Sequence, residues 1–144
     1  MKPRITREIQ LTNNDGKLHG TCHCGAVTFS VKGPVTRATR CTCSFCSKVG
    51  ALWHGTDEAG LELLSGEDDL ALYQFGTKTA KHYFCRHCGV HPFSRPRLNP
   101  RLWVANLRCV PGVDPEALPV TVFDGANWEE AARAFLVRKG PGAA

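Results

Sequence analysis

At 144 residues the chain is expected to be a single domain spanning 1–144, with its core at about 18–125. Its 18 Lys and Arg against 13 Asp and Glu give a modest formal charge of +5, and no apolar run approaches the roughly 20 residues of a membrane span. The charged N-terminus has no apolar stretch behind it, which argues against a secretory signal and leaves a soluble, cytoplasmic protein as the expectation.

In chain order, residues 1–20 read as a polar lead-in, with Asn13-Asn14-Asp15-Gly16 a turn signal. Alternation over Ala26–Val31 puts Val27, Phe29 and Val31 on one face of a half-buried strand that ends at Gly33-Pro34. A second strand is expected over Val35–Arg40, and Ala51–His54 is a short apolar run. Gly60–Leu64 and Leu70–Phe75 read as a hairpin around the turn Ser65–Asp68. Further strands are expected at Lys81–Phe84, Val90–Ser94 and Leu102–Leu107. Val113–Leu118 carries an Asp N-cap followed by Pro, which predicts one helical turn, and Asn127–Phe135 predicts a second helix. Gly140–Ala144 reads as a frayed tail. The class this defines is mainly β, with many short antiparallel strands and one or two short helices.

Seven of the eight cysteines fall in three knots: Cys22-His23-Cys24-Gly25, Cys41-Thr42-Cys43-Ser44-Phe45-Cys46, and Cys85-Arg86-His87-Cys88-Gly89. In a reducing compartment such spacing points to metal ligands, although thiols of different knots could also bridge. In the first and third knots the last thiol precedes a glycine, able to turn backbone amides toward a thiolate. Cys22, Cys24, Cys85 and Cys88 are therefore grouped as a closed four-sulfur structural zinc site. That leaves Cys41, Cys43 and Cys46, and three protein ligands on a zinc ion leave one position for chemistry. Two other readings of the trio stand beside this one: His54 or His91 as a fourth ligand, or a site that binds metal loosely.

Both His54 and His91 follow a thiol knot and are candidates for proton transfer. His23 and His87 are expected to point outward, and His82 to be a surface or core residue. Cys109 stands alone among apolar neighbours and is assigned to no site. Charge is segregated: Asp57–Asp69 holds six acids and no Lys or Arg, whereas Lys78–Arg108 holds seven basic residues and no acid. An anionic ligand would be drawn to the second stretch.

The three knots in this order, within Gly20-Thr21-Cys22-His23-Cys24-Gly25-Ala26-Val27-Thr28-Phe29, the triple cluster and Phe84-Cys85-Arg86-His87-Cys88-Gly89, resemble the glutathione-dependent formaldehyde-activating enzyme family, which includes centromere protein V. The resemblance covers about residues 18–125. It implies a β-tent fold of short antiparallel sheets, a structural zinc at Cys22, Cys24, Cys85 and Cys88, and a catalytic zinc at Cys41, Cys43 and Cys46, two ions per chain. It further implies a carbon–sulfur lyase that joins glutathione to formaldehyde as S-hydroxymethylglutathione, or cleaves that adduct. Arg40, Lys48, Arg95 and Arg97 are the cations expected to grip the carboxylates of such a thiol. Ser47 and Val90 depart from the family's usual basic residue and threonine. The alternative is a zinc-stapled binding module for nucleic acid or protein, using the basic run and the aromatics Tyr83, Phe84, Phe93 and Trp103.

Overall fold

A computed structural model describes residues 16–139; the tail at 140–144 and nearly all of the polar lead-in lie outside the described residues. Where alternation was legible, strands form on schedule. Thr28–Lys32 (β2) places Phe29 and Val31 in the interior. Ahead of it, Lys17–Thr21 (β1) pairs antiparallel with β2, so the polar lead-in gives way to a strand earlier than expected. Its inward positions are Leu18 and Gly20, and Gly20 faces Phe29 directly across the pair. A Cβ on Gly20 would lie 2.2 Å from the Phe29 ring, so the aromatic ring occupies the space a side chain there would need.

The sheet is completed by Leu61–Ser65 (β5), in the order β1-β2-β5. The second sheet has seven strands. Its strands are Ala38–Cys41 (β3), Trp53–Thr56 (β4), Leu70–Tyr73 (β6), Lys81–Cys85 (β7), Phe93–Arg95 (β8), Trp103–Asn106 (β9) and Val120–Phe123 (β10). They run in the order β10-β3-β4-β9-β8-β7-β6. The expected hairpin of β5 with β6 does not form: β5 pairs with β2, and β6 pairs with β7. Between them Gly66 adopts φ 93° against Ala26 and Val27, and a 3-10 turn at Glu67–Asp69 carries the chain from one sheet to the other. A connection of that kind cannot close a tight hairpin, whose two-residue loops keep both strands in one plane.

Phe29 of the first sheet meets Phe93 of the second edge-on at 5.3 Å, and around this pair Leu18, Val27, Val31, Ala105 and Leu107 close the main core. Burying such an aromatic ring contributes on the order of 2 kcal/mol. A smaller cluster, Cys46, Ala51 and Trp53, sits under the triple knot. Two α-helices are present among the described residues: Ser44–Val49 (α1), which the sequence reading missed and which carries the end of that knot, and Trp128–Lys139 (α2), which it placed within a residue at its start. The expected turn at 113–118 is a 3-10 turn at Pro115–Ala117, and the Asp114 side chain caps it. Strand β10 lies parallel to β3, the only parallel pair among the described strands, with Phe123 beside Cys41.

Candidate metal centre

The four-thiol cluster lies between the end of β1 and the end of β7. Cys22 and Cys24 follow β1, Cys85 closes β7, and Cys88 lies in the turn beyond it. Gly25 and Gly89 take φ of 86° and 79°, the left-handed conformation a side chain disfavours, and the loops thereby fold back on their own sulfurs. Backbone amides of Val27 and His87 donate to Cys22 Sγ at 3.3 Å and Cys85 Sγ at 3.4 Å. The four sulfurs lie within 4.8 Å of one another. Cys24 Sγ is 3.7 Å from the sulfurs of both Cys22 and Cys85. Zn–S bonds of about 2.3 Å at tetrahedral corners require sulfur–sulfur edges of about 3.8 Å, so the two 3.7 Å edges match those of a zinc site and the four thiols could hold such an ion. His23 and His87 do point outward, as expected; His87 Nε2 donates to Asp69 Oδ1 at 2.6 Å.

Cys41, Cys43 and Cys46 converge in the same way, their sulfurs within 4.8 Å of one another, and among the described residues no His, Asp or Glu joins the set. Cys41 ends β3, Cys43 caps α1 and Cys46 lies one turn on, its side chain buried beneath the helix. The spacing C-x-x-C therefore becomes a helix start, with the Cys46 N–H donating to Cys43 Sγ at 3.2 Å. Thiol protons of Cys41 and Cys46 also face Cys43, and these contacts hold it far below the ordinary thiol range. Cys46 is pushed up, first by its contact with the Cys41 thiol, then by that with Cys43 and by burial, and Cys41 is raised by its contact with Cys43. One sulfur of the three is thus disposed to be anionic before any ion binds.

Two histidines stand near this trio. The Phe45 ring, between two ligands in sequence, packs on His82 at 4.0 Å and meets His91 edge-on at 5.2 Å. Burial lowers the pKa of His82 to about 4, opposed by the charge on Cys43. His82, expected to be a surface or core residue, is buried beside a thiolate and bonded through Nδ1 to Ser94 Oγ at 3.2 Å. Alternation along β7 could not have flagged it together with Cys85, since residues three apart lie on opposite faces of a strand, yet both are buried. His91 Nδ1 is buried without a hydrogen-bond partner. His54 goes elsewhere: Trp53 enters the cluster under Cys46, the next residue points the other way, and His54 Nε2 binds the Lys32 carbonyl at 2.9 Å.

The four expected cations divide. The Arg95 guanidinium lies 3.6 Å over the Trp103 ring and donates to the Arg101 carbonyl at 2.9 Å; Arg97 lies 3.8 Å over Trp128 and 3.5 Å from Glu129. Arg40 on β3 and Lys48 in the last turn of α1 are both exposed, on the two elements that carry the trio. Cys109 is buried near the four-thiol site, its pKa raised to about 12 by burial and then by the charges of Cys22 and Cys88.

Sequence reading gave no role to the loop that covers the trio from the C-terminal side. The Thr42 N–H donates to the Phe123 carbonyl at 3.0 Å, and the Thr42 hydroxyl donates to Asp124 Oδ1 at 2.6 Å. That hydroxyl also accepts from the Ala126 N–H at 3.1 Å. Gly125 packs so closely that a Cβ there would lie 2.5 Å from Cys41 Sγ and 2.9 Å from Cys43 Cβ.

Two sulfur clusters of metal-ligand geometry, set at the strand ends of a mainly β scaffold, define the class of protein. Residues 17–121 match the glutathione-dependent formaldehyde-activating enzyme family, and the chain belongs to that family. A Halomonas elongata protein, provisionally named a glutathione-dependent formaldehyde-activating enzyme, is 30% identical over a match covering 54% of this chain and 63% of that protein. The match thus spans less than two thirds of the relative's length. A crystal structure of a Rhodobacter sphaeroides protein, solved as a structural genomics target, superposes with a TM-score of 0.67 at 41% identity, covering 72% of this chain and all of that one. No helix among the described residues is long and apolar enough to cross a membrane.

Proposed function

We propose that the protein is a zinc-dependent carbon–sulfur lyase of the S-(hydroxymethyl)glutathione synthase type, joining a thiol to an aldehyde or cleaving the adduct at Cys41, Cys43 and Cys46. A second zinc at Cys22, Cys24, Cys85 and Cys88 staples the β-tent scaffold. Family membership supports the reaction class, and the observation that carries it is the sulfur set that stops at three, leaving one tetrahedral position for a substrate atom. Zinc bound there supplies positive charge that keeps an incoming thiol deprotonated or polarises a carbonyl oxygen.

The protein's own groups do the rest. Cys43, already disposed to ionise, anchors the donor set. His91, with an unpaired Nδ1 and its ring edge-on to Phe45, is the group to take the thiol proton and return it to the carbonyl oxygen as the new C–S bond forms. Thiol and aldehyde add without any oxidant: the sulfur supplies the electron pair, the C=O π bond breaks, and the proton ends on oxygen. Arg40 and Lys48 are the cations free to hold glutathione carboxylates, since Arg95 and Arg97 spend their charge on aromatic rings and backbone or Glu129.

The same arrangement counts against a nucleic-acid module. Arg101 and Arg108 also face acids, Glu58 at 3.6 Å and Glu116 at 2.9 Å. Phe93 is buried and cannot stack on a base, and the Arg95 guanidinium already covers a face of the Trp103 ring.

Exchange between ¹³C-formaldehyde, glutathione and their adduct, followed by NMR magnetisation transfer, tests the reading. The protein is expected to accelerate exchange, and Cys43→Ser to lose about 100-fold or more of that acceleration, equivalent to several kcal/mol of charge stabilisation. Equal rates for the two proteins would remove the proposal.

A further inference from the structure

The trio of thiols is held by more than its own loop. The strand pairing β10 with β3 brings Phe123 alongside Cys41, and the chain then turns through a 3-10 segment, Gly125–Asn127, across the face of the knot. Four polar contacts tie that segment to the knot or brace it. Thr42 N–H reaches Phe123 O, Thr42 Oγ1 reaches Asp124 Oδ1, Ala126 N–H reaches Thr42 Oγ1, and Asn127 Nδ2 braces Asp124 Oδ2 at 3.0 Å. Hydrogen bonds satisfy both ends of Thr42, the single residue separating the first two ligands. Gly125 then faces the knot so closely that a Cβ there would meet Cys41 Sγ, Cys43 Cβ and, at 3.1 Å, the Cys43 backbone nitrogen. Its φ lies outside the left-handed range, so contact alone excludes a side chain there. The family match ends at residue 121, before the segment begins.

We infer that residues 123–127 are a positioning strap for the three-thiol site: Thr42 and Asp124 fix the ligand loop, and Gly125 sets Cys41 Sγ and Cys43 in register to share an ion. The inference rests on the reading of the trio as a metal site. None of Thr42, Asp124 and Gly125 touches the reacting atoms, so they are positioning residues.

The test uses the full chain with Gly125→Ala, Thr42→Val and Thr42→Ser. Competition of each protein with a chromogenic zinc chelator resolves the two ions by affinity, and circular dichroism checks the fold. Gly125→Ala and Thr42→Val are expected to weaken one ion tenfold or more while leaving the other unchanged, and Thr42→Ser, which keeps the hydroxyl, to restore it. A second readout needs no metal: in chelator-stripped protein, alkylation by iodoacetamide, mapped by mass spectrometry, should become several-fold faster at Cys41 in Thr42→Val and stay the same at Cys88. Unchanged affinity for both ions together with unchanged Cys41 alkylation overturns the strap. If the unaltered protein binds a single ion yet Cys41 alkylation still responds to Thr42→Val, the strap stands and the two-zinc reading falls.

Discussion

Cys43 shows how one residue can serve fold and chemistry together. Its sulfur ends a strand-to-helix turn by accepting the Cys46 amide, and it gathers two thiol protons that favour its own ionisation. Around it the histidines divide into near and far. His91 shares the Phe45 ring contact with His82, whereas His54 is committed to the Lys32 carbonyl. His91→Gln should therefore lower kcat for adduct formation about 100-fold with little change in KM, as expected for loss of a proton carrier, and His54→Gln should leave both constants alone. Steady-state kinetics of the two variants side by side decides the matter; equal behaviour would unseat His91. From sequence, His54 and His91 looked alike because each follows a thiol knot. Only the direction of alternation on β4 and the turn into β8 separates them, and that depends on which face meets the core.

At the level of elements, the pattern of two in β2 was readable because its neighbours are sharply apolar and polar. β1 was not, because Lys17, His19 and Gly20 hide a two-residue inward stripe of Leu18 and glycine. Gly20 matters for what it lacks. With Phe29 fully buried and pressed against Phe93, a methyl at position 20 has nowhere to go, and Gly20→Ala should cost about 1–3 kcal/mol. A urea midpoint displaced downward with an unchanged slope would agree; an unmoved midpoint would show that the ring can shift. Helix α1 escaped notice for a different reason. Six residues containing one thiol of the knot carry no amphipathic period, and the helix exists because the Cys43 side chain caps it and Gly50, at φ 75°, ends it. The hairpin expected of β5 and β6 failed because a turn signal says where a chain bends, not which sheet it bends toward.

For the whole molecule, the ligand knots and their grouping were legible because chemistry limits which residue types can serve, whereas sheet order was not, because it is set by contacts between distant segments. Nothing local in Val120–Phe123 announces a parallel partner more than eighty residues earlier. Acid should expose the balance between burial and charge. His82 is held neutral by burial, so its contribution is complete above the ordinary histidine range and is lost as pH falls from about 6.5 toward 4, where the unfolded chain takes up the proton first. Melting temperatures of the intact protein should fall over that interval, and the fall should be shallower in His82→Gln; parallel curves would mean that thiol protonation alone drives it.

The parallel docking of β10 carries a practical implication for anyone trimming the chain. A fragment cut where similarity to the family stops, at residue 121, would retain both sheets' interior and every sulfur, and would look intact by any inventory of conspicuous residues. It would nonetheless be missing the half-turn that leans on Cys41, which lies past the edge that comparison draws.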